Sequence, residues 1–217
     1  MMPHRRQFLR LCGTVLLASM ATTLSITGCS DAPTGSYLPV GSKVVALGDS
    51  LTYGYGTSLE SAYPQMLAEL TGWQVVNAGT NGDTSADVLA RTDAIVAQKP
   101  ALVLLGVGGN DVLRRLQPAS TTANIRASIG KFKAADIPVL LIAEPHFSTS
   151  ALFGKVSDNP IYQEIADNEN VPLYRKGWAQ VLSDETLKSD QIHANAAGYR
   201  HFAEGLHQYL QEEGWVR

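Results

Sequence analysis

The sequence predicts an α/β fold: a three-layer α/β/α domain around a central parallel sheet of about five strands. Three observations carry this. From Lys43 onward, short aliphatic or β-branched runs alternate with stretches of helical period, a pattern that packs as parallel strands with helices on both faces. The run Ala101 to Val107 is almost wholly aliphatic, as expected of a strand covered on both sides. Three glycine-bearing segments each follow a strand-like run, which puts them on one rim, where open α/β sheets bind their ligands.

The elements follow in order. Residues 1–28 read as an export signal: a basic start with Arg5, Arg6 and Arg10, then eighteen uncharged residues from Leu11 to Gly28. His4-Arg-Arg-Gln-Phe-Leu-Arg10 looks like a twin-arginine signal, and Ile26-Thr-Gly-Cys29 looks like a lipoprotein box with Cys29 as the lipidated residue. The competing reading is an uncleaved membrane anchor, for which eighteen residues diluted by Thr, Ser and Gly are barely long enough. Residues 29–42, with prolines and glycines, are expected to be the lipidated cysteine and a tether. The chain is thus expected to be exported and membrane-anchored, facing the periplasm or the cell exterior.

Residues 43–217 form one domain. Lys43 to Gly48 is a strand. Glu60 to Leu70 is helical, with Tyr63, Met66, Leu67 and Leu70 on one face and Pro64 tolerable only in the first turn. Trp73 to Ala78 is a strand. Thr84 or Ser85 caps a helix running to about Lys99, which Pro100 ends. Ala101 to Val107 is a strand, Thr121 to Ala135 a helix, and Pro138 to Ala143 a strand. Asn159 to Glu169 is a helix, Val171 to Tyr174 a short strand, and Asn195 to Glu213 a long final helix.

Composition narrows the function. The formal net charge of the 217 residues is −3, from 17 basic and 20 acidic residues. The leader holds three of the basic residues and none of the acidic ones, so the remainder stands at −6. A domain so charged, with its cations scattered, is not built for nucleic acid. The two cysteines, Cys12 and Cys29, both precede the domain, which therefore has neither a disulfide nor a thiol nucleophile. No cluster has metal-ligand spacing, and Tyr53-Gly-Tyr-Gly56 is too short for a dinucleotide fingerprint.

What remains points to acyl transfer. Ser50 follows the first strand in Gly48-Asp-Ser-Leu51, and Gly79 to Asp83 follow the second. Gly108-Gly-Asn-Asp111 follows the third, and Asp190-Gln-Ile-His193 precedes the last helix. A hydroxyl nucleophile, an imidazole base and a carboxylate able to orient it from one turn away are the parts of a serine hydrolase. The Gly-x-Ser-x-Gly elbow is absent. Each fragment alone has a bland reading as a turn; their convergence on one rim is the informative feature.

Taken together, the blocks containing Ser50, Gly82, Asn110 and His193 resemble, in order, those of the SGNH (GDSL) hydrolases. The similarity is nearest to the thioesterase I and arylesterase type, and spans nearly all of Lys43 to Leu210. The resemblance implies a flavodoxin-like fold. It also implies catalytic Ser50, Asp190 and His193, and an oxyanion hole from the backbone N–H groups of Ser50 and Gly82 with the side-chain amide of Asn110. Gly82 is preferred to Gly79 because it directly precedes Asp83-Thr-Ser85. Where many relatives have Gly-Ile before the histidine and Pro-Asn after it, this chain has Gln191-Ile192 and Ala194-Asn195, and Ala194 gives up proline's rigidity. The segment Phe147 to Ser157 is the expected wall of the acyl pocket, and His146 is a possible substrate contact.

The expected function is hydrolysis of short to medium acyl or aryl esters, with thioesters and lysophospholipids as further candidate substrates, without metal or cofactor. The expected state is a monomer held to a membrane through Cys29. The alternatives are a carbohydrate O-deacetylase of the cell envelope and a surface lipoprotein that uses the fold only to bind.

Overall fold

The computed structural model describes residues 35–146 and 156–217, together with Met1. The leader, Cys29 and most of the Phe147 to Ser157 segment lie outside the described residues.

Five parallel strands form one sheet in the order β2-β1-β3-β4-β5. They are β1 (Lys43–Gly48), β2 (Gln74–Gly79), β3 (Leu102–Gly106), β4 (Val139–Ile142) and β5 (Leu173–Tyr174). The strand order reverses direction at β1, whose two neighbours are β2 and β3. That is the switch point at which a crevice opens beyond the strand ends.

The side-chain period of two explains the aliphatic strands. Val44, Ala46, Leu102, Leu104, Leu140 and Ile142 face one layer, and Val45, Leu47, Val103, Leu105, Val139 and Leu141 face the other. The first layer is built by α2 (Tyr63–Thr71), α7 (Gly177–Ser183) and α8 (Ala196–Glu212). Its centre is aromatic: Trp178 stacks on Phe202 at 3.7 Å between centroids, and Tyr63 meets Phe202 edge-on. The second layer is built by α3 (Ser85–Val96), α5 (Pro118–Ala134) and α6 (Ile161–Glu169).

Most helix boundaries shift from the expected ones for identifiable reasons. α2 begins at Tyr63, not Glu60, because Pro64 lacks the N–H that a later position requires; Leu59–Ser61 forms a 3₁₀ turn instead. α3 starts after Thr84, which makes a reciprocal capping box with Asp87. α5 begins at Pro118, in the first-turn position proline suits. Three short helices were not expected: α1 (Ser50–Tyr53), α4 (Gly109–Leu113) and α7.

The expected tether is shorter than residues 29–42. Gly35 N–H donates to Glu213 O and Leu38 N–H to Trp215 O, while Gly41 N–H donates to Gly72 O. Trp73 Nε1 donates to Leu38 O at 3.2 Å. Residues 35–42 are therefore part of the domain surface, at the end of the sheet where the strands begin.

Candidate active site

Gly48, Gly79 and Gly106 stand in register across β2, β1 and β3, and their missing side chains make room on the rim. A Cβ at Gly79 would strike the backbone of Thr52 and Tyr53, and one at Gly48 would strike Gly106 O and Thr52. α1 therefore sits down on the strand ends, and Ser50 at its start is lifted to the crevice. Asp49 caps this short helix, its Oδ1 accepting Leu51 N–H at 3.0 Å.

His193 Nε2 lies 3.0 Å from Ser50 Oγ. On the other side of the ring, Nδ1 lies 2.8 Å from Asp190 Oδ2 and 3.1 Å from Oδ1. Asp190 Oδ1 also accepts the backbone N–H groups of Ile192 and His193, each at 2.8 Å. Burial pushes the Asp190 carboxyl up, and the hydrogen bonds from His193 and Ile192 outweigh it, so that it sits below the ordinary carboxylate value. The Tyr55 ring covers the imidazole at 4.4 Å between centroids, with its backbone held by Tyr199 Oη, which donates to Tyr55 O.

The loop carrying Asp190 and His193 is tied without the proline that is missing at position 194. Ser189 N–H donates to His193 O, and Lys188 pairs with Ala194 in an antiparallel bridge. Asn195 caps α8 through Gly198 N–H, and its Nδ2 donates to Thr186 O and Lys188 O. Ala194 is fully buried, so packing and hydrogen bonds hold the loop. Gln191 is exposed.

Ser50, Asn110 and His193 line one shallow cleft together with Asp49, Leu51, Gly109, Leu113 and Ile192. Neither Ser50 N–H nor Gly82 N–H has an acceptor among the described residues. Gly82 is near the cleft without lining it; its φ of +82° is one that favours glycine. Asn110 Nδ2 donates to Asp83 O at 3.0 Å and to Asp49 Oδ2 at 3.3 Å. In this arrangement both amide protons face protein acceptors, and serving an oxyanion requires the longer bond to Asp49 to open.

Several residues escaped the sequence reading. Arg91 joins three pieces of the rim: Nε donates to Asp83 Oδ2, Nη1 to Ala78 O and Nη2 to Gly48 O. Asp111 accepts from Ser85 N–H, Ser85 Oγ and Thr121 Oγ1, locking α3, α4 and α5 together. Asp49 and Glu144 are buried acids beneath the cleft. His146 is exposed, and its N–H donates to Ser157 O. His201 and His207 sit on α8, and no group of three possible metal ligands occurs among the described residues.

The comparisons with known proteins fit this geometry. The family described as GDSL-like Lipase/Acylhydrolase matches residues 46–201. The chain is 34% identical over 177 residues to thioesterase 1/protease 1/lysophospholipase L1 of Escherichia coli (strain K12), covering 77% of this chain and 83% of that protein. It is 28% identical over 195 residues to esterase TesA of Pseudomonas aeruginosa, covering 84% and 94% of the two chains. A crystal structure of TesA superposes with a TM-score of 0.70 at 27% identity, covering 79% of this chain and 99% of that one. With the four sequence blocks on one rim and a family match running from β1 into α8, the chain belongs to the GDSL-like lipase/acylhydrolase family.

Proposed function

We propose that Ser50, His193 and Asp190 are the catalytic triad of this acyl-ester hydrolase. The observation that carries the proposal is the unbroken series Ser50 Oγ, His193 Nε2, His193 Nδ1, Asp190 Oδ2, with contacts of 3.0 and 2.8 Å. Ser50 Oγ attacks the ester carbonyl while His193 takes its proton. Asp190 holds the proton on Nδ1 and stabilises the imidazolium. The tetrahedral oxyanion is met by Ser50 N–H, Gly82 N–H and one Asn110 amide N–H. His193 then protonates the leaving alcohol, which departs and leaves an acyl group on Ser50. Water, deprotonated by His193, hydrolyses that acyl-enzyme and returns the serine.

The cleft favours acyl or aryl esters, because Leu113 and Ile192 line it beside the nucleophile. Thioester and lysophospholipid substrates follow from the similarity to the Escherichia coli protein, whose name carries both activities. The test is turnover of p-nitrophenyl esters from acetyl to decanoyl by the protein and by Ser50→Ala. Turnover that survives in Ser50→Ala refutes the assignment; inactivity across the series in the parent protein redirects the search to acetylated glycans.

We further propose that Cys29 is lipidated and that the domain acts outside the cytoplasm. The twin-arginine-like start and the Ile26-Thr-Gly-Cys29 box support this reading. Cells fed a labelled fatty acid are expected to label the parent chain and not Cys29→Ala; equal labelling of the two argues against it.

A further inference from the structure

Beneath the cleft lies a carboxyl group that the ester chemistry leaves unused. Glu144 follows β4, is 1% exposed, and accepts Gly109 N–H on Oε2 at 2.6 Å. Its Oε1 is buried with no donor among the described residues, and it lies 3.7 Å from where a Cβ on Gly106 would stand. Glu144 also adjoins Asp49, which is 2% exposed: Gly109 N–H binds the one and the side-chain amide of the next residue, Asn110, binds the other, so that the two carboxyl groups come into contact. Two carboxylates cannot share such a contact when both are ionised, since neither has a hydrogen to give. A proton on Glu144 Oε1 resolves both difficulties. Oε2 then serves as the carbonyl oxygen that accepts Gly109 N–H, and Oε1 becomes a donor toward Asp49.

We propose that Glu144 is a positioning residue: it keeps the one proton of the pair, donates it to Asp49, and so frees an Asn110 amide N–H for the oxyanion. The proposal rests on Asn110 serving the oxyanion as described above. Asp49 has two oxygens to satisfy. Leu51 N–H takes one, and Asn110 now reaches the other only at 3.3 Å. A hydroxyl from Glu144 satisfies Asp49 and lets Asn110 turn to substrate. Ionised Glu144 does the reverse: Asp49 retains Asn110, and a second negative charge beneath the cleft opposes the negative charge of the transition state.

The surroundings keep the proton in place. Asp83 and Asp111 act on the pair as further negative charges. Tyr63 of α2 and Tyr162 of α6 also face it, and burial holds both phenols neutral. Burial and the neighbouring Asp49 push the Glu144 carboxyl well up, while burial raises Asp49 to about 7.

Infrared spectroscopy tests the protonation without recourse to turnover. At pH 8 the protein, and equally Ser50→Ala, is expected to show a protonated-carboxyl carbonyl band. That band should shift with ¹³C-glutamate labelling and vanish in Glu144→Gln. A parent protein without the band, or Glu144→Gln with it, overturns the proposal. Kinetics test the positioning role. Glu144→Gln keeps a donor toward Asp49 but has no proton to lose. The parent kcat is therefore expected to fall roughly tenfold in alkali, and that of Glu144→Gln to stay level. An alkaline fall shared by both variants refutes the role. Turnover that survives Ser50→Ala refutes the triad instead, so the two failures are distinguishable.

Discussion

At the residue scale, the site separates groups that react from groups that hold. Asn110→Ala removes the proposed oxyanion donor and leaves the proposed triad intact. Its kcat is expected to fall ~10²–10³-fold with KM little changed, as steady-state kinetics on one ester would show. Asp190 differs from the buried aspartate of the serine proteases, because 46% of its side chain is exposed. Water can replace part of what it gives His193. Asp190→Asn is therefore expected to cost less than the ~10⁴-fold loss seen for a buried triad aspartate. A loss of that full size would mean that water does not replace the charge and the acceptor that the carboxylate offers Nδ1. Glu144 belongs to the holding group, although its place two strands away from Ser50 conceals that.

At the element scale, the rim is fastened by few contacts. Arg91 joins β1, β2 and the loop carrying Gly82 and Asp83 through one side chain. A lysine has neither the fork nor the reach to make three bonds, so Arg91→Lys is expected to lower kcat through Gly82 and Asn110. The accompanying sign is faster hydrogen exchange in residues 80–84; normal exchange with lowered kcat would show that Arg91 acts otherwise. Gly79→Ala drives a methyl into the backbone of α1, and a marked loss of thermal stability is expected in calorimetry. The central strands β1, β3 and β4 were legible because each is aliphatic on both faces, and the Ser50 and His193 motifs because each is contiguous in sequence. α1 and α4, of four and five residues, are too short to display a helical period. α7 follows Lys176 at φ +64°, with no side-chain cap to announce it. Arg91 was not legible because its bonds to Ala78 O and Gly48 O depend on the pairing of β1 with β2, and the Asp49–Glu144 pair was not because the two lie far apart in sequence and meet only through the pairing of β1, β3 and β4.

At the scale of the whole molecule, buried acids set the pH response. Asp49 is raised to about 7 in the folded protein. Its contribution to stability is therefore full below the ordinary carboxylate range and is lost as pH rises through about 7. Glu144 extends the loss to higher pH, because it too is raised. Asp190 is lowered, so its contribution is present above the ordinary range and is lost in stronger acid. The melting temperature is expected to be highest in mild acid and to decline toward pH 9, less steeply in Glu144→Gln. A melting temperature that climbs from pH 5 to pH 9 would contradict the burial of an ionisable pair.

The chain enters the domain from behind. Gly35, Leu38 and Gly41 are bonded near the starts of the strands, and the triad lies at their ends. The six residues of β1 alone separate the two by ~20 Å. The six residues from 29 to 34 can stretch no further than ~20 Å. A fatty chain on Cys29 would thus moor the enzyme by its stern, with the mouth looking outward. Such a berth suits esters arriving from the surrounding fluid, or lipids on an opposing leaflet, better than those in the bilayer that holds the mooring.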